Sequence, residues 1–283
     1  MNLTPRSPFS PAELEALLPE LIRLADEAGA AILDVYGRAD HGVVTKQDQS
    51  PLTEADMAAD RILYAGLKAL TPDIPVVTEE QIASGHEPDF STGTFWLVDP
   101  LDGTKEFIAR RGDFTVNIAL LTGYWPVLGI LGVPARSQLY WGGRGIGAFR
   151  RDQQGISPIV AREAVPEAGL TLVGSRMHRD GPTLDHLLSC LPIAGHVAVG
   201  SAVKFARVAE GAADFYPRFS PTCLWDIAAG HAIVEAAGGV MMRADGGRVS
   251  YTRRQGEGTD AFLSDYFVAA SRPTAEKLQA YLS

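Results

Sequence analysis

The sequence predicts an α+β fold in which helices are layered on sheets. Two long helical periodicities open the chain, strand-like segments fill its middle, and strands alternate with helices beyond residue 170. Of the 283 residues, 46% are hydrophobic, enough for a large core in one domain or two packed ones.

The first helix is expected over 11–36. Ser10-Pro11-Ala12-Glu13 has the form of a capping box with proline in the first turn. Leu14, Leu17, Leu18, Leu21, Leu24, Ala25, Ala28 and Ile32 keep helical spacing, and Gly37 ends the run. A short strand follows at 43–46, then a second helix from Thr53 to Leu70, stopped by Thr71-Pro72. Strands are expected at 75–78, 95–99, 114–122, 126–133, 138–141 and 146–150. Residues 114–135 carry no charge, but Gly123, Pro126, Gly129, Gly132 and Pro134 interrupt them, so two strands around a turn fit better than a membrane span. Residues 151–169 read as polar and irregular, and mark the boundary between an N-terminal half, 1–160, and a C-terminal half, 161–283. Beyond it, strands at 170–174, 196–199 and 213–217 alternate with helices at 182–190, 201–210 and 225–237. Strands near 239–242 and 267–270 then lead to a last helix from about 273.

Net charge is −9, which argues against nucleic-acid binding, since polyanion binders need a basic face. A small anionic substrate stays compatible if bound metal supplies local positive charge. Two cysteines, Cys190 and Cys223, give neither a disulfide framework nor metal-ligand spacing. With no apolar leader in MNLTPRSPFS, a cytoplasmic protein is expected, with peripheral membrane association left open.

The chemistry concentrates in WLVDPLDGTKEF, residues 96–107. An apolar strand there ends in Asp99 and Asp102 and turns through Gly103. Carboxylate oxygens suit hard divalent ions such as Mg²⁺. Backbone N–H groups at Gly103 and Thr104 suit a phosphate. Together they suggest metal-assisted phosphoryl chemistry, although the same residues also read as an Asx turn after a strand. Val76-Val77-Thr78-Glu79-Glu80 is a second strand ending in acids, and Asp226 stands where it can cap the helix over 225–237.

These three segments, VTEE, WLVDPLDGTKEF and WDIAAGHAIVEAAGG, together resemble the inositol monophosphatase superfamily of Mg²⁺-dependent, lithium-sensitive phosphatases. Within it the chain is most similar to the 3′(2′),5′-bisphosphate nucleotidases of the CysQ type. Lys105-Glu106-Phe107, the run 112–120 (GDFTVNIAL), Gly200-Ser201-Ala202-Val203-Lys204-Phe205 and the run 208–219 carry that narrower likeness. The resemblance implies a layered α/β/α/β/α sandwich with its active site between the two halves.

It also implies roles. Asp99 bridges two metals, with Glu79 and the Leu101 carbonyl completing the first, and Asp102 and Asp226 the second; two or three Mg²⁺ ions are expected. Glu79 counts among the catalytic residues, and Glu80 stands behind it. Thr104 orients the attacking water, backed by Asp56, which also reads as the third residue of a helix capping box. Lys46 is a possible partner of these carboxylates. Gly103, Thr104, Ser175, His178, Ser201 and Lys204 are the substrate-binding candidates. Gly200-Ser201 and Lys204 open a helix whose N-terminus suits an anion. Arg111 and Arg218 are equal candidates for a phosphate.

The expected substrate is a small anionic nucleotide, adenosine 3′,5′-bisphosphate, with 3′-phosphoadenylyl sulfate beside it. The enzyme is expected as a monomer or homodimer. The alternatives are a phosphatase for inositol or other sugar phosphates, and a non-catalytic Mg²⁺- or nucleotide-binding regulator.

Overall fold

The computed structural model describes residues 8–38, 44–45, 51–86, 88–175 and 181–282. Helix α1 (Pro11–Tyr36) begins at the expected capping box, with Ser10 N–H donating to Glu13 at 2.7 Å. A two-residue ladder, β1 (Val44–Thr45) and β2 (Pro51–Leu52), leads into α2 (Glu54–Leu70). Then come β3 (Val76–Thr78), a single turn α3 (Glu79–Ala83), β4 (Phe95–Asp102) and a second single turn α4 (Thr104–Ile108). Five strands follow without a long helix: β5 (Thr115–Thr122), β6 (Trp125–Val133), β7 (Gln138–Gly143), β8 (Gly147–Asp152) and β9 (Gly155–Ile159). Alternation then sets in with β10 (Leu170–Gly174), α5 (Gly181–Cys190), β11 (Ile193–Ala198), α6 (Val203–Ala209), β12 (Phe215–Arg218) and α7 (Leu224–Ala236). The chain closes with β13 (Gly239–Arg243), β14 (Phe267–Ser271) and α8 (Arg272–Leu282).

Strands β3 to β9 form a seven-stranded sheet in sequence order, parallel at β3–β4 and antiparallel elsewhere. The five-stranded sheet has the order β11-β10-β12-β14-β13. Helices α1 and α2 bury Leu21, Leu24, Leu63 and Leu67 against one face of the larger sheet. Helices α6 and α7 fill the space between the sheets, and α7 is apolar around its whole circumference, as a helix sandwiched on both sides must be. Helices α5 and α8 cover the outer face of the smaller sheet through Leu187 and Leu278. The result is five layers, α/β/α/β/α. Among the described residues no helix is long and apolar enough to cross a membrane.

The main departure from the sequence reading lies in the polar stretch at 151–169. Residues 155–159 form a strand, paired with β8 from Asp152↔Gly155 to Ala148↔Ile159. This edge strand is held by backbone bonds and buries little beyond part of Ile159; Ile156 is 64% exposed and hydropathy gives no alternation to read.

Gly129 shows how closely α7 lies on the large sheet. A Cβ at this position would come within 2.3 Å of the Ala229 carbonyl oxygen in α7. Backbone cannot rotate away as a side chain can, so Gly129→Ala must lift the helix. Overpacking costs roughly 1–3 kcal/mol. The expected result is a melting temperature lower by about 2–5 °C, and an unchanged thermal melt would contradict it.

Candidate active site

The acids come together where three chain segments end. Glu79 is the first residue of α3, directly after β3. Asp99 lies near the end of β4, buried to 2% exposure, and Asp226 stands in the first turn of α7. One carboxylate oxygen from each of these three lies within 4.8 Å of the others. Residues separated by 147 positions thus share one point, because β3 and β4 are parallel neighbours and α7 starts over their carboxyl ends. A cleft of about 390 Å³ opens there.

Such crowding is electrostatically costly without a cation. Burial first, then the charges of Asp102 and Glu79, push the Asp226 carboxyl up to about 7. Two hydrogen bonds hold it in place regardless: the Thr222 hydroxyl and the Cys223 N–H both donate to its Oδ2. An all-oxygen donor set with uncompensated negative charge fits a hard divalent cation.

Asp102 is placed differently from Asp99. The ladder between β4 and β5 slips between them, from Asp99↔Asn117 to Asp102↔Thr115. That slip turns Asp102 toward the segment before α6, where its Oδ2 accepts from Ser201 Oγ at 2.6 Å and from the Ala202 N–H at 2.7 Å. Asp102 still lines the cleft and acts on Asp226 by charge, but it is outside the three-carboxylate cluster.

The anion seat expected at the start of α6 is therefore already taken. The helix begins at Val203, later than the sequence suggests, and the Ala202 N–H serves the Asp102 carboxylate. Ser201 has left-handed backbone (φ 54°), and its hydroxyl is shared between Asp102 and Thr115 Oγ1, 2.6 Å away. Ser201 lines the cleft, but its polar atom braces Asp102. Asp113, fully buried and paired with Arg136, steadies this segment by accepting from the Gly200 N–H.

Thr104 opens α4 just after Gly103, whose φ of +91° and neighbour Ser201 leave no room for a side chain. The Thr104 hydroxyl lies 3.3 Å from Asp56 Oδ1 and 3.4 Å from the Leu101 carbonyl. Asp56 Oδ2 accepts from the Thr53 N–H and hydroxyl at 2.7 and 2.5 Å. The helix cap and the Thr104 contact therefore coexist, one on each carboxylate oxygen.

On the far side of the cleft lie Ser175, Lys204 and Arg218. Lys204 is buried, donates to the Ser201 carbonyl and stands 5.3 Å from the Tyr216 ring centroid. Burial pushes its ammonium down to about 8, with Arg218 adding to the shift and Asp102, Asp226 and Glu106 opposing it. Position separates the two arginines: Arg218 lines the cleft, its guanidinium braced by the Ser220 and Pro221 carbonyls, while Arg111 pairs with Glu106. His178 and Lys46 lie outside the described residues. His231 is packed in α7, its Nδ1 2.9 Å from the Tyr251 hydroxyl. Thr115, Tyr216 and Thr222 were not anticipated; only Thr222 left a local trace, one turn before Asp226.

Comparisons with known proteins give the chain's family and fold. The profile of the inositol monophosphatase family matches residues 13–281. The 3′(2′),5′-bisphosphate nucleotidase CysQ of Escherichia coli K12 is 42% identical over 242 residues, covering 84% of this chain and 95% of its own length. That of Buchnera aphidicola is 39% identical over 237 residues, covering 83% of this chain and 88% of its own. Among solved structures, CysQ from Bacteroides thetaiotaomicron, a bacterial member of the inositol monophosphatase family, superposes with a TM-score of 0.75 at 32% identity, over 91% of this chain and 97% of its own. The Thermotoga maritima IMPase shares the fold, with a TM-score of 0.75 at 23% identity over 94% of this chain and 96% of its own. The chain belongs to the inositol monophosphatase family.

Proposed function

We propose that this chain is a 3′(2′),5′-bisphosphate nucleotidase that hydrolyses adenosine 3′,5′-bisphosphate, and also 3′-phosphoadenylyl sulfate, by water attack on a phosphate ester. The observation that carries this reading is one cleft holding both a carboxylate cluster, Glu79, Asp99 and Asp226, and the buried cations Lys204 and Arg218. The curated relatives with 42% and 39% identity bear the nucleotidase name. Two cysteines, Cys190 and Cys223, outside any disulfide suit a reducing, cytoplasmic setting.

Glu79, Asp99 and Asp226, with the Leu101 carbonyl and Asp102 beside them, would hold two or three Mg²⁺ ions. Bound there, the metal supplies charge neutralisation at the phosphoryl oxygens, an acidified water and stabilisation of the leaving alkoxide. The protein's own part is positional. With its proton directed to Asp56 Oδ1, the Thr104 hydroxyl has lone pairs left to accept from the attacking water. Lys204 and Arg218 face the phosphate that is not cleaved, and Ser175 and Gly103 border the remainder of the substrate.

Phosphate release from adenosine 3′,5′-bisphosphate and from inositol 1-phosphate, each with Mg²⁺ and with excess chelator, tests the reading directly. The nucleotide should be strongly preferred and chelator should abolish turnover. A preference for inositol 1-phosphate would overturn the nucleotidase assignment, and turnover in chelator would overturn the metal chemistry. Lys204→Met, which fills a similar volume without charge, should raise KM for the bisphosphate about ten- to a hundredfold, the worth of a charge-assisted hydrogen bond. It should barely change KM for a monophosphate. Equal losses on both substrates would mean that Lys204 only supports the Ser201 segment.

A further inference from the structure

Asn117 lies in the interior of β5, fully buried, and neither its Oδ1 nor its Nδ2 has a hydrogen-bond partner. Among the described residues no other side chain has two buried polar atoms without one. Burying an amide unpaired is costly, and a β-branched apolar residue would fill a strand interior without that cost. Packing alone therefore gives no reason for an asparagine here.

Its address does give one. Asn117 stands directly opposite Asp99 across the β4–β5 ladder. Opposed residues project to the same face of a sheet, with Cβ atoms about 4.5–5.5 Å apart. That face is the one under α7: Leu97, Ala119 and Leu131 pack there with Ala228 and Ala229, and Gly129, paired with Ala119, meets the Ala229 carbonyl. Asn117 thus flanks Asp99 beneath the helix whose first turn carries Asp226. The buried amide stands beside the three-carboxylate cluster, offering it two N–H groups and a carbonyl oxygen.

We propose that Asn117 is a positioning residue of the cation site. When a divalent cation occupies Glu79, Asp99 and Asp226, an amide N–H of Asn117 donates to the Asp99 carboxylate and fixes its orientation. The terminal torsion of asparagine is soft, so a rotation of the amide suffices. Hydrogen-bonded partners of this kind set the direction and basicity of ligating groups, and losing one typically weakens metal affinity about 10–100-fold. The inference rests on the reading of those three carboxylates as metal ligands.

The test uses the isosteric pair Asn117→Val and Asn117→Thr, equal in shape and different in one hydroxyl. Mn²⁺ affinity is measured by calorimetry on chelator-treated protein, alongside the thermal melt without metal. Asn117→Val should bind Mn²⁺ about tenfold or more weakly, with a metal-free melting temperature no lower than that of the wild type. Asn117→Thr, which restores a donor, should recover most of the affinity. Wild-type affinity in Asn117→Val would overturn the proposal, as would equal losses in Val and Thr, which would make shape the cause. Asp99→Asn separates this from the parent reading: if it binds Mn²⁺ as the wild type does, the metal site itself is wrong.

Discussion

Asp226→Asn is expected to reduce turnover by at least about a hundredfold while making the metal-free protein more stable. The loss follows from removing one charged oxygen from a site where metal charge stabilisation is worth several kcal/mol, each ~1.4 kcal/mol being a decade in rate. The gain follows from linkage. Burial, Asp102 and Glu79 raise the folded-state Asp226 pKa to about 7, from an ordinary value of 3.8. Between those values the unfolded chain has released its proton and the folded chain still holds it. Folding stability therefore falls as pH rises through that window, and stays low above it. Asparagine keeps an oxygen for Thr222 and Cys223 but cannot ionise. The variant's advantage in metal-free melts should thus be large at about pH 8 and vanish near about pH 4. An equal difference at both pH values would mean that Asp226 is not forced to carry its proton in the fold.

How far the site could be read from the sequence depends on whether its contacts are local. Glu79 follows an apolar strand, Asp99 lies near the end of another and Asp226 sits in the first turn of a helix; each is bland alone, and the resemblance of the three segments to one family is what grouped them. The hydrogen-bond partners of Asp102 were hidden. The resemblance separates its role from that of Asp99, but only the slipped register brings Asp102 to Ser201 and Ala202, a hundred residues away in the chain. For the same reason the bracing of Asp102 by Ser201 was not legible: the left-handed backbone and the partners of Ser201 arise only when two halves of the chain meet. Among the folded elements, the long helices and buried strands carried clear periodicities. The edge strand Gly155–Ile159 buries almost nothing, and left no pattern to find. Asn117 was passed over because one polar residue in an apolar run is silent until the register sets it opposite Asp99.

Thr104→Ala should lower turnover by about 10²–10³-fold with metal affinity essentially unchanged, within the range that positioned proton-transfer partners contribute. Asp56 has one oxygen committed to the Thr53 cap, and this fixes the other where the Thr104 hydroxyl can donate to it. A hydroxyl is a weak base alone, so its usefulness depends on that acceptor. Alanine removes the hydroxyl without touching Glu79, Asp99 or Asp226. Calorimetric Mn²⁺ binding should therefore report a wild-type site, in contrast to Asp226→Asn. Thr104→Ser, which keeps the hydroxyl, should retain most activity. Asp56→Asn should fall with Thr104→Ala, and the double variant should lose little more than either single one, because the two residues act as a unit. Its melting temperature should drop as well, since Asp56 also caps α2. Multiplicative losses in the double variant would show that Asp56 supports only the helix, and that Thr104 orients water by some other contact.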